Sequence, residues 1–305
     1  MTTMSYLNVT RDSRPLGKSG VAVSPIAWGM WRFGNADAAT ARTLIDAAFA
    51  AGVTLFDTAD IYGFNGQGGF GDAEALLGQV FAEAPALRDR MVLATKGGIT
   101  PPVPYNSSRA YLMEALEASL KRLRTDHVEL YQIHRPDILA HPQEVARTLE
   151  DMVTSGKVRA VGVSNYTLAQ HQALSALLTI PLASTQPEFS PLHLEPIENG
   201  LLDHAMAHDM AVLAWSPLGG GRLGDPQDER SRRVAAALDA VAADFGVSRT
   251  AVAYGWIMAH PARVIPIVGT QNLARIAEIP DAFRIRWTRQ RWYDVLVAAR
   301  GERLP

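Results

Sequence analysis

The chain has 305 residues, 48% of them hydrophobic, and a formal net charge of −2. That is enough apolar material for a large core, and the near-neutral balance points to neither a nucleic-acid partner nor a membrane surface. With no cysteine, disulfides and a thiol nucleophile are excluded and a reducing, cytoplasmic setting fits; no run approaches the roughly 20 apolar residues of a membrane span, and the opening MTTMSYLNVTRDSRPLG lacks the apolar core and cleavage pattern of a leader.

In chain order, residues 6–24 carry short alternating segments around Gly17 and Gly20, which predict a small β-hairpin ahead of the main fold. From there short β-branched runs alternate with longer Ala- and Leu-rich segments of helical period. Strands are expected near 26–29, 53–57, 91–96, 128–134, 158–163, 182–186, 211–215 and 264–268. Helices are expected near 38–51, 72–83, 108–124, 142–155, 167–178, 196–208, 231–245 and 271–278, with an extra one in the C-terminal part near 249–259. Ser108, Thr167 and Ser248 stand at helix starts, and Gly52, Gly156 and Gly246 where helices should stop. Eight strands, each followed by a helix, is the count of a (β/α)8 TIM barrel. No linker or composition break interrupts it, so residues 1–305 are expected to form one domain.

In such a barrel the strand ends gather on one face, where the following loops build the site. Asp57, Lys96 and His134 end the second, third and fourth strands, and Tyr62 lies on the loop after the second. A phenol titrates near 10 and is a poor acid at neutral pH; a neighbouring ammonium favours the phenolate and lowers that value. Lys96 can be that ammonium, and Asp57 its counter-ion, without which a buried lysine tends to lose its proton. His134 can donate to a carbonyl oxygen and polarise it. The four together suit protonation of a developing alkoxide, which is half of a carbonyl reduction. The other half is a hydride, which no side chain supplies, so a nicotinamide cofactor is implied.

The chain resembles the aldo-keto reductases over essentially its whole length. The resemblance is carried by RPLGKSGVAVSPIAWG, FDTADIYG, TKGG, ELYQIHRPD, GKVRAVGVSN, STQPEFSP, AWSPLGGGRL and VIPIVGTQNLARI, in that order and spacing. IHRPD together with GGGRL is similar to a bacterial branch of oxidoreductases. The resemblance implies a catalytic tetrad of Asp57, Tyr62, Lys96 and His134, and NADPH/NADP+ as cofactor. It implies contacts from Gly29 and Met30 after the first strand, and from Ser164, Asn165 and Gln186 to the nicotinamide amide, a sound match because each amide has donors and an acceptor. Trp215 takes the place of the ring on which nicotinamide stacks. Ser216, Pro217, Leu218, Gly219, Gly220 and Arg222 resemble the loop over the pyrophosphate, where glycines let backbone N–H groups approach phosphate. Gly269, Thr270, Gln271 and Arg275 resemble the adenosine 2′-phosphate site, although many relatives have lysine where Gly269 stands. Trp31 is expected in the substrate pocket with Tyr62, His134 and loop 97–107. A small carbonyl compound is the expected partner, and a monomer the expected state.

Other patterns read differently. GQGGFG at 66–71 matches a dinucleotide fingerprint, but eight residues separate it from the second strand and the next strand ends in Lys96 rather than an acid. His204 and His208 are four apart, yet neither the glutamate of a zinc-protease motif nor a third ligand stands nearby in sequence. Arg284, Arg286, Arg289 and Arg291 read as a solvated helix face, and Asp60 as a loop-capping carboxylate. Two readings from other classes stay open: a nicotinamide-binding sensor, which need not keep all four tetrad residues, and a metal-dependent barrel hydrolase using His134 and Asp57.

Overall fold

A computed structural model describes residues 6–33 and 36–305; the expectation of no leader falls partly on residues 1–5, which lie outside them. Two short antiparallel strands, β1 (Arg14–Pro15) and β2 (Ala22–Val23), form the expected hairpin. Eight parallel strands then close into a barrel: β3 (Ala27–Gly29), β4 (Leu55–Asp57), β5 (Val92–Gly97), β6 (Val128–Ile133), β7 (Val158–Ser164), β8 (Leu182–Gln186), β9 (Ala211–Ala214) and β10 (Ile265–Val268). Each strand pairs with its neighbour in sequence, and β10 returns to β3.

Around them lie α1 (Ala38–Ala50), α2 (Asp72–Glu83), α3 (Ala86–Asp89), α4 (Arg109–Leu123), α5 (Pro142–Thr154), α6 (Leu168–Ser175), α7 (Glu195–Glu198), α8 (Leu201–Ala207), α9 (Glu229–Phe245), α10 (Arg249–Met258), α11 (Leu273–Ala277) and α12 (Arg289–Arg300). Ser108, Thr167 and Ser248 are N-caps, the second within a reciprocal capping box with Gln170. Gly246 ends α9 in the left-handed region at φ 59°.

Two expectations are corrected, and one helix has bounds that were not among those expected. The helix foreseen near 196–208 is two, because Asn199 and Gly200, the latter at φ 80°, break it. The helix foreseen from 271 begins at Leu273, since Asn272 is its cap. The sequence also conceals α12, whose polar stretch RQRWYDVLVAAR hides a firm anchor: the Trp292 and Trp256 rings stack at 4.8 Å, and each indole N–H donates to the other's carbonyl at 3.0 Å. Arg289 and Arg291 do lie on this helix, and Arg291 pairs with Asp244 at 3.1 Å.

The barrel interior positions the site. Alternate residues of a strand face the same side, so Leu55 puts Asp57 inward, Ala94 puts Lys96 inward, and Leu130 puts Gln132 inward in turn. Register then sets their heights: Asp57 is opposite Ala94, which is opposite Leu130, and Lys96 and Gln132 are opposite each other one step further along the same face. The lower interior is apolar, with Leu55, Ala94, Leu130, Ala160, Leu213 and Ile265 packed on Leu16 of the hairpin. Gly17 must be glycine there: at φ +57° a Cβ would stand 2.4 Å from the Ala183 carbonyl oxygen. The hairpin thus closes the lower end, and polar side chains rise toward the other.

Candidate active site

At the C-terminal rim Lys96 is the hub. Its side chain is wholly buried (0% exposed), and its ammonium donates to Asp57 Oδ2 at 2.7 Å, to the Thr58 carbonyl at 2.8 Å and to the Tyr62 hydroxyl at 3.1 Å. All three N–H donors are therefore used. The other Asp57 oxygen accepts from Gln186 Nε2 at 2.9 Å. A charge this deep persists only when paired and fully hydrogen-bonded. Burial alone would lower the Lys96 pKa, but Asp57 and Tyr62 outweigh it and hold the ammonium above its usual 10.5.

Tyr62 comes from the turn after β4, where its N–H donates to the Ala59 carbonyl. Its ring meets His134 at 5.8 Å and the edge of Trp31 at 5.1 Å. Trp31 is 60% exposed, so Tyr62 and His134 sit just behind an aromatic rim. The phenol's acidity runs opposite to the sequence expectation. Burial raises its pKa above 10.0, and the lowering influence of Lys96 offsets only part of that. The phenol is thus fully protonated at neutral pH. His134 follows β6, anchored by its N–H to the Gly97 carbonyl at 2.9 Å. Burial, then Lys96 and Arg135, push its pKa well below 6.5, so the ring is neutral.

The remaining candidates line the same rim. Ser164 ends β7 and donates its hydroxyl to the Gln186 carbonyl at 2.9 Å. Asn165 takes a left-handed φ of 59°, and its amide nitrogen donates to the His134 carbonyl at 3.2 Å and Ser164 Oγ at 2.8 Å. Its amide oxygen accepts the Trp215 indole N–H at 2.9 Å. Asn165 therefore ties the Trp215 ring to the backbone of His134. Gly29 is held close by β10, where a Cβ would lie 2.7 Å from Ile267. Met30 is fully buried, and its N–H donates to the Asp57 carbonyl at 2.9 Å.

After β9 the chain turns sharply through Ser216, Pro217, Leu218, Gly219, Gly220 and Arg222. Ser216 has φ 49°, an uncommon conformation for a side-chain-bearing residue. Gly219, Gly220 and Gly221 are at φ 59°, 69° and 97°, and the last two have nothing within 4 Å of a Cβ. Arg222 Nε donates to the Gly219 carbonyl at 3.1 Å. Among the described residues, the N–H groups of Leu218 and Gly220 make no backbone hydrogen bond. Such a glycine turn with free amides fits a phosphate, and the locked indole with the amides beside it fits a nicotinamide. Past β10, the Thr270 carbonyl accepts the Trp28 indole N–H at 2.9 Å, Gln271 Nε2 is buried without an acceptor, and Arg275 is exposed.

Sequence reasoning passed over Arg135 and Arg32. The Arg135 guanidinium lies 5.7 Å from the Trp215 ring centroid, directly after His134; a cation beside a candidate site histidine was the available signal. Arg32, next to Trp31, donates to the Gly269 carbonyl at 3.1 Å. Among the described residues, Asp60 departs from the expectation of a solvated loop cap. It is wholly buried, neither carboxylate oxygen has a partner, and burial followed by Glu74 raises its pKa well above 3.8. GQGGFG is a turn leading from Gly63 to α2, with Asn65 accepting from Gln67 and Gly68 at 3.0 Å. His204 and His208 face each other at 4.3 Å, and the described residues hold no group of three or more metal-ligating side chains.

The class follows from comparison with known proteins. The family model of the aldo/keto reductases matches residues 25–295, and the chain belongs to that family of oxidoreductases. Among its relatives, the 6-dehydroglucose reductase of Novosphingobium aromaticivorans is 60% identical over 304 residues, spanning 99% of this chain and 100% of that one. The 6-dehydroglucose reductase of Agrobacterium fabrum is 38% identical, spanning 92% and 95%. In fold, the chain is similar to the crystal structure of the thermostable aldo-keto reductase Tm1743, with a TM-score of 0.81 at 24% identity over 94% of this chain and 99% of that one. No helix among the described residues is long and apolar enough to cross a membrane.

Proposed function

We propose that the protein is an NADP(H)-dependent reductase that converts the aldehyde of a hexose oxidised at C6 into the primary alcohol, with Asp57, Tyr62, Lys96 and His134 as the reacting set. The reading is carried by one observation, the Lys96 ammonium held between Asp57 and the Tyr62 hydroxyl at 2.7 and 3.1 Å. The substrate class is suggested by the 60% identical relative, whose name specifies glucose lacking two hydrogens at C6.

The neutral His134 ring donates one hydrogen bond to the substrate carbonyl oxygen and fixes its direction toward Tyr62. A neutral donor suits this role, since it polarises the oxygen without competing as the acid. A dihydronicotinamide, when bound, supplies the hydride. As negative charge develops on the oxygen, it becomes a far stronger base than a phenolate, and Tyr62 gives up its proton. The phenolate so formed lies beside the Lys96 ammonium, which stabilises it only once it appears. Asp57 keeps that ammonium charged and in place. Raised phenol acidity in the resting protein is therefore unnecessary: the lysine acts on the product of the proton transfer.

The cofactor's amide would be held by Ser164, Asn165 and Gln186, its ring by Trp215, its pyrophosphate by the turn from Ser216 to Arg222, and its adenosine end by Gly269, Thr270, Gln271 and Arg275, with Gly29 and Met30 forming the rim. Trp31 would border the hexose. The testing experiment mixes the protein with NADPH and a panel of aldehydes, ketones and the C6-aldehyde of glucose, and follows NADPH consumption and alcohol formation. Fast turnover of the hexose aldehyde supports the reading. Tight NADPH binding without turnover of any carbonyl compound would refute it in favour of a cofactor-binding sensor.

A further inference from the structure

We propose that a cavity on the outer side of β5 and β6, between α4 and the loops after β4 and β5, is a second binding site. It takes a small organic ammonium ion, whose charged head meets the Asp60 carboxylate and whose stem lies among aromatic rings. No residue of the proposed reacting set or of the proposed cofactor contacts lines it, so the inference stands independently of the reaction above.

Side chains alternate along a strand, so Lys96 and Gln132 point into the barrel while Thr95, Gly97 and Tyr131 point outward to the helices. On that outer side lies a cavity of about 350 Å³, lined by Asp60, Phe64, Phe70, Pro101, Tyr111 and Ala118 among others; that volume is at the small end of ligand pockets. Asp60 is wholly buried and forms the inner wall. Its N–H donates to the Lys96 carbonyl at 3.0 Å, and neither carboxylate oxygen has a hydrogen-bond partner. The Tyr131 hydroxyl behind it, equally buried, has none either. The two groups converge on one point: a Cβ on Gly97 would stand 3.3 Å from Asp60 Oδ2 and 2.1 Å from the Tyr131 hydroxyl. Glycine at 97 leaves room for both. A carboxyl and a phenol enclosed together without partners are costly unless something binds them.

The cations nearest Asp60 are engaged elsewhere. Lys96 uses its three N–H donors on Asp57, Thr58 and Tyr62. Arg122, on the cavity wall, bonds Glu74 at 2.8 Å and Ser119 at 3.1 Å, and the other Glu74 oxygen accepts from Thr95. Arg122 and Glu74 thus neutralise each other, and Asp60 is the acid left over, with the exposed Glu114 adding negative charge at the mouth. Burial, then Glu74, raise the Asp60 pKa well above 3.8, against the smaller pulls of Arg122, the Ile61 N–H and Lys96. Burial also pushes the Tyr111 phenol up to about 12 and Tyr131 well above 10.0, so both stay neutral. The acid therefore calls for a cation from outside. The walls suit an organic one: the Phe64 and Phe70 rings meet edge to face at 6.4 Å, and with Tyr111 they offer ring faces to an ammonium and apolar surface to its stem. A bare metal ion is poorly served, since the described residues hold no group of three metal-ligating side chains.

The test titrates the full chain with phenethylammonium chloride by calorimetry and by thermal shift, beside the neutral phenethyl alcohol and beside sodium and potassium chloride at equal ionic strength. The ammonium should bind and raise the melting temperature, and the alcohol and the salts should not. Asp60→Asn keeps the shape and removes the charge; it should weaken the ammonium roughly 10- to 100-fold, the range of a hydrogen bond to a charged group. Ala118→Phe, which fills the cavity from the half-buried side of α4, should abolish binding, with circular dichroism establishing that both variants fold. A bound ammonium favours the ionised carboxyl, so in the wild type affinity should rise with pH across the neutral range, where the amine is still charged. Equal binding of the alcohol, or an equal effect of sodium or potassium, overturns the proposal. So do affinity unchanged in Asp60→Asn or in Ala118→Phe, affinity independent of pH, and a wild type that does not bind the ammonium.

Discussion

Replacing Lys96 with methionine tests the core of the site. Methionine keeps an unbranched stem in the same space but removes the ammonium, and with it the bonds to Asp57, Thr58 and Tyr62 at 2.7, 2.8 and 3.1 Å. Asp57, 2% exposed, is left with Gln186 as its side-chain partner. Stranding one member of a buried pair destabilises by about 3–5 kcal/mol. Relief from burying the ammonium offsets part of this, so about 3 kcal/mol is expected at neutral pH. Lys96 is held charged above its ordinary value of 10.5, so in the wild type the pair's contribution is complete at neutral pH and fades only as pH climbs past that value. Asp57→Asn combined with Lys96→Met should recover most of the loss without restoring activity. Urea unfolding of the wild type, both single variants and the double variant gives the coupling directly. A coupling of about 2–3 kcal/mol is expected; an additive cycle would show that the pair does not act as a unit.

Tyr62→Phe removes one hydroxyl and little volume. It should lower kcat by roughly 10²–10⁴-fold while changing stability by only about 1 kcal/mol, and near-normal turnover would remove Tyr62 from the chemistry. Trp215→Ala should weaken nicotinamide binding by about 0.5–1.5 kcal/mol beyond lost burial, measured by titration; unchanged affinity would place the ring outside the cofactor site. Burial, then His204, lowers the pKa of His171 to about 4 from 6.5. Its neutral form is favoured by the fold, so stability should fall as pH drops through that interval, by roughly 3 kcal/mol in all. His171→Gln should flatten this part of the stability–pH curve, and an unchanged slope would assign the effect elsewhere.

The barrel is legible because its strands announce themselves locally. Leu55–Asp57 is a short apolar run that ends in a carboxylate, Val128–Ile133 is a strand followed directly by His134, and caps such as Thr167 and Ser248 mark where helices begin. The meeting of Asp57, Tyr62, Lys96 and His134 is legible for a related reason, since parallel strands in register bring their ends to one rim. What the sequence hides depends on tertiary surroundings. The α12 helix reads as polar because its stability comes from the Trp256–Trp292 stack, which joins residues 36 apart. Asp60 looks like any loop aspartate until the fold encloses it. The direction of the Tyr62 shift required weighing burial against Lys96, and the sequence reveals only the second. Arg32 and Gly269 are distant in the chain, and the bond between them exists only because β10 closes onto β3.

The proposed reaction is hydride transfer from a nicotinamide to the C6 aldehyde of a hexose, completed by a proton from Tyr62. The most direct measurement uses NADPH carrying deuterium at the transferable position of its nicotinamide, with the C6-aldehyde of glucose as substrate and mass spectrometry of the product. The expected product is glucose with one deuterium, bound to C6, formed by the wild type and nearly abolished in Tyr62→Phe. Glucose without the label, or no glucose from a protein that binds both NADPH and the aldehyde, would contradict it.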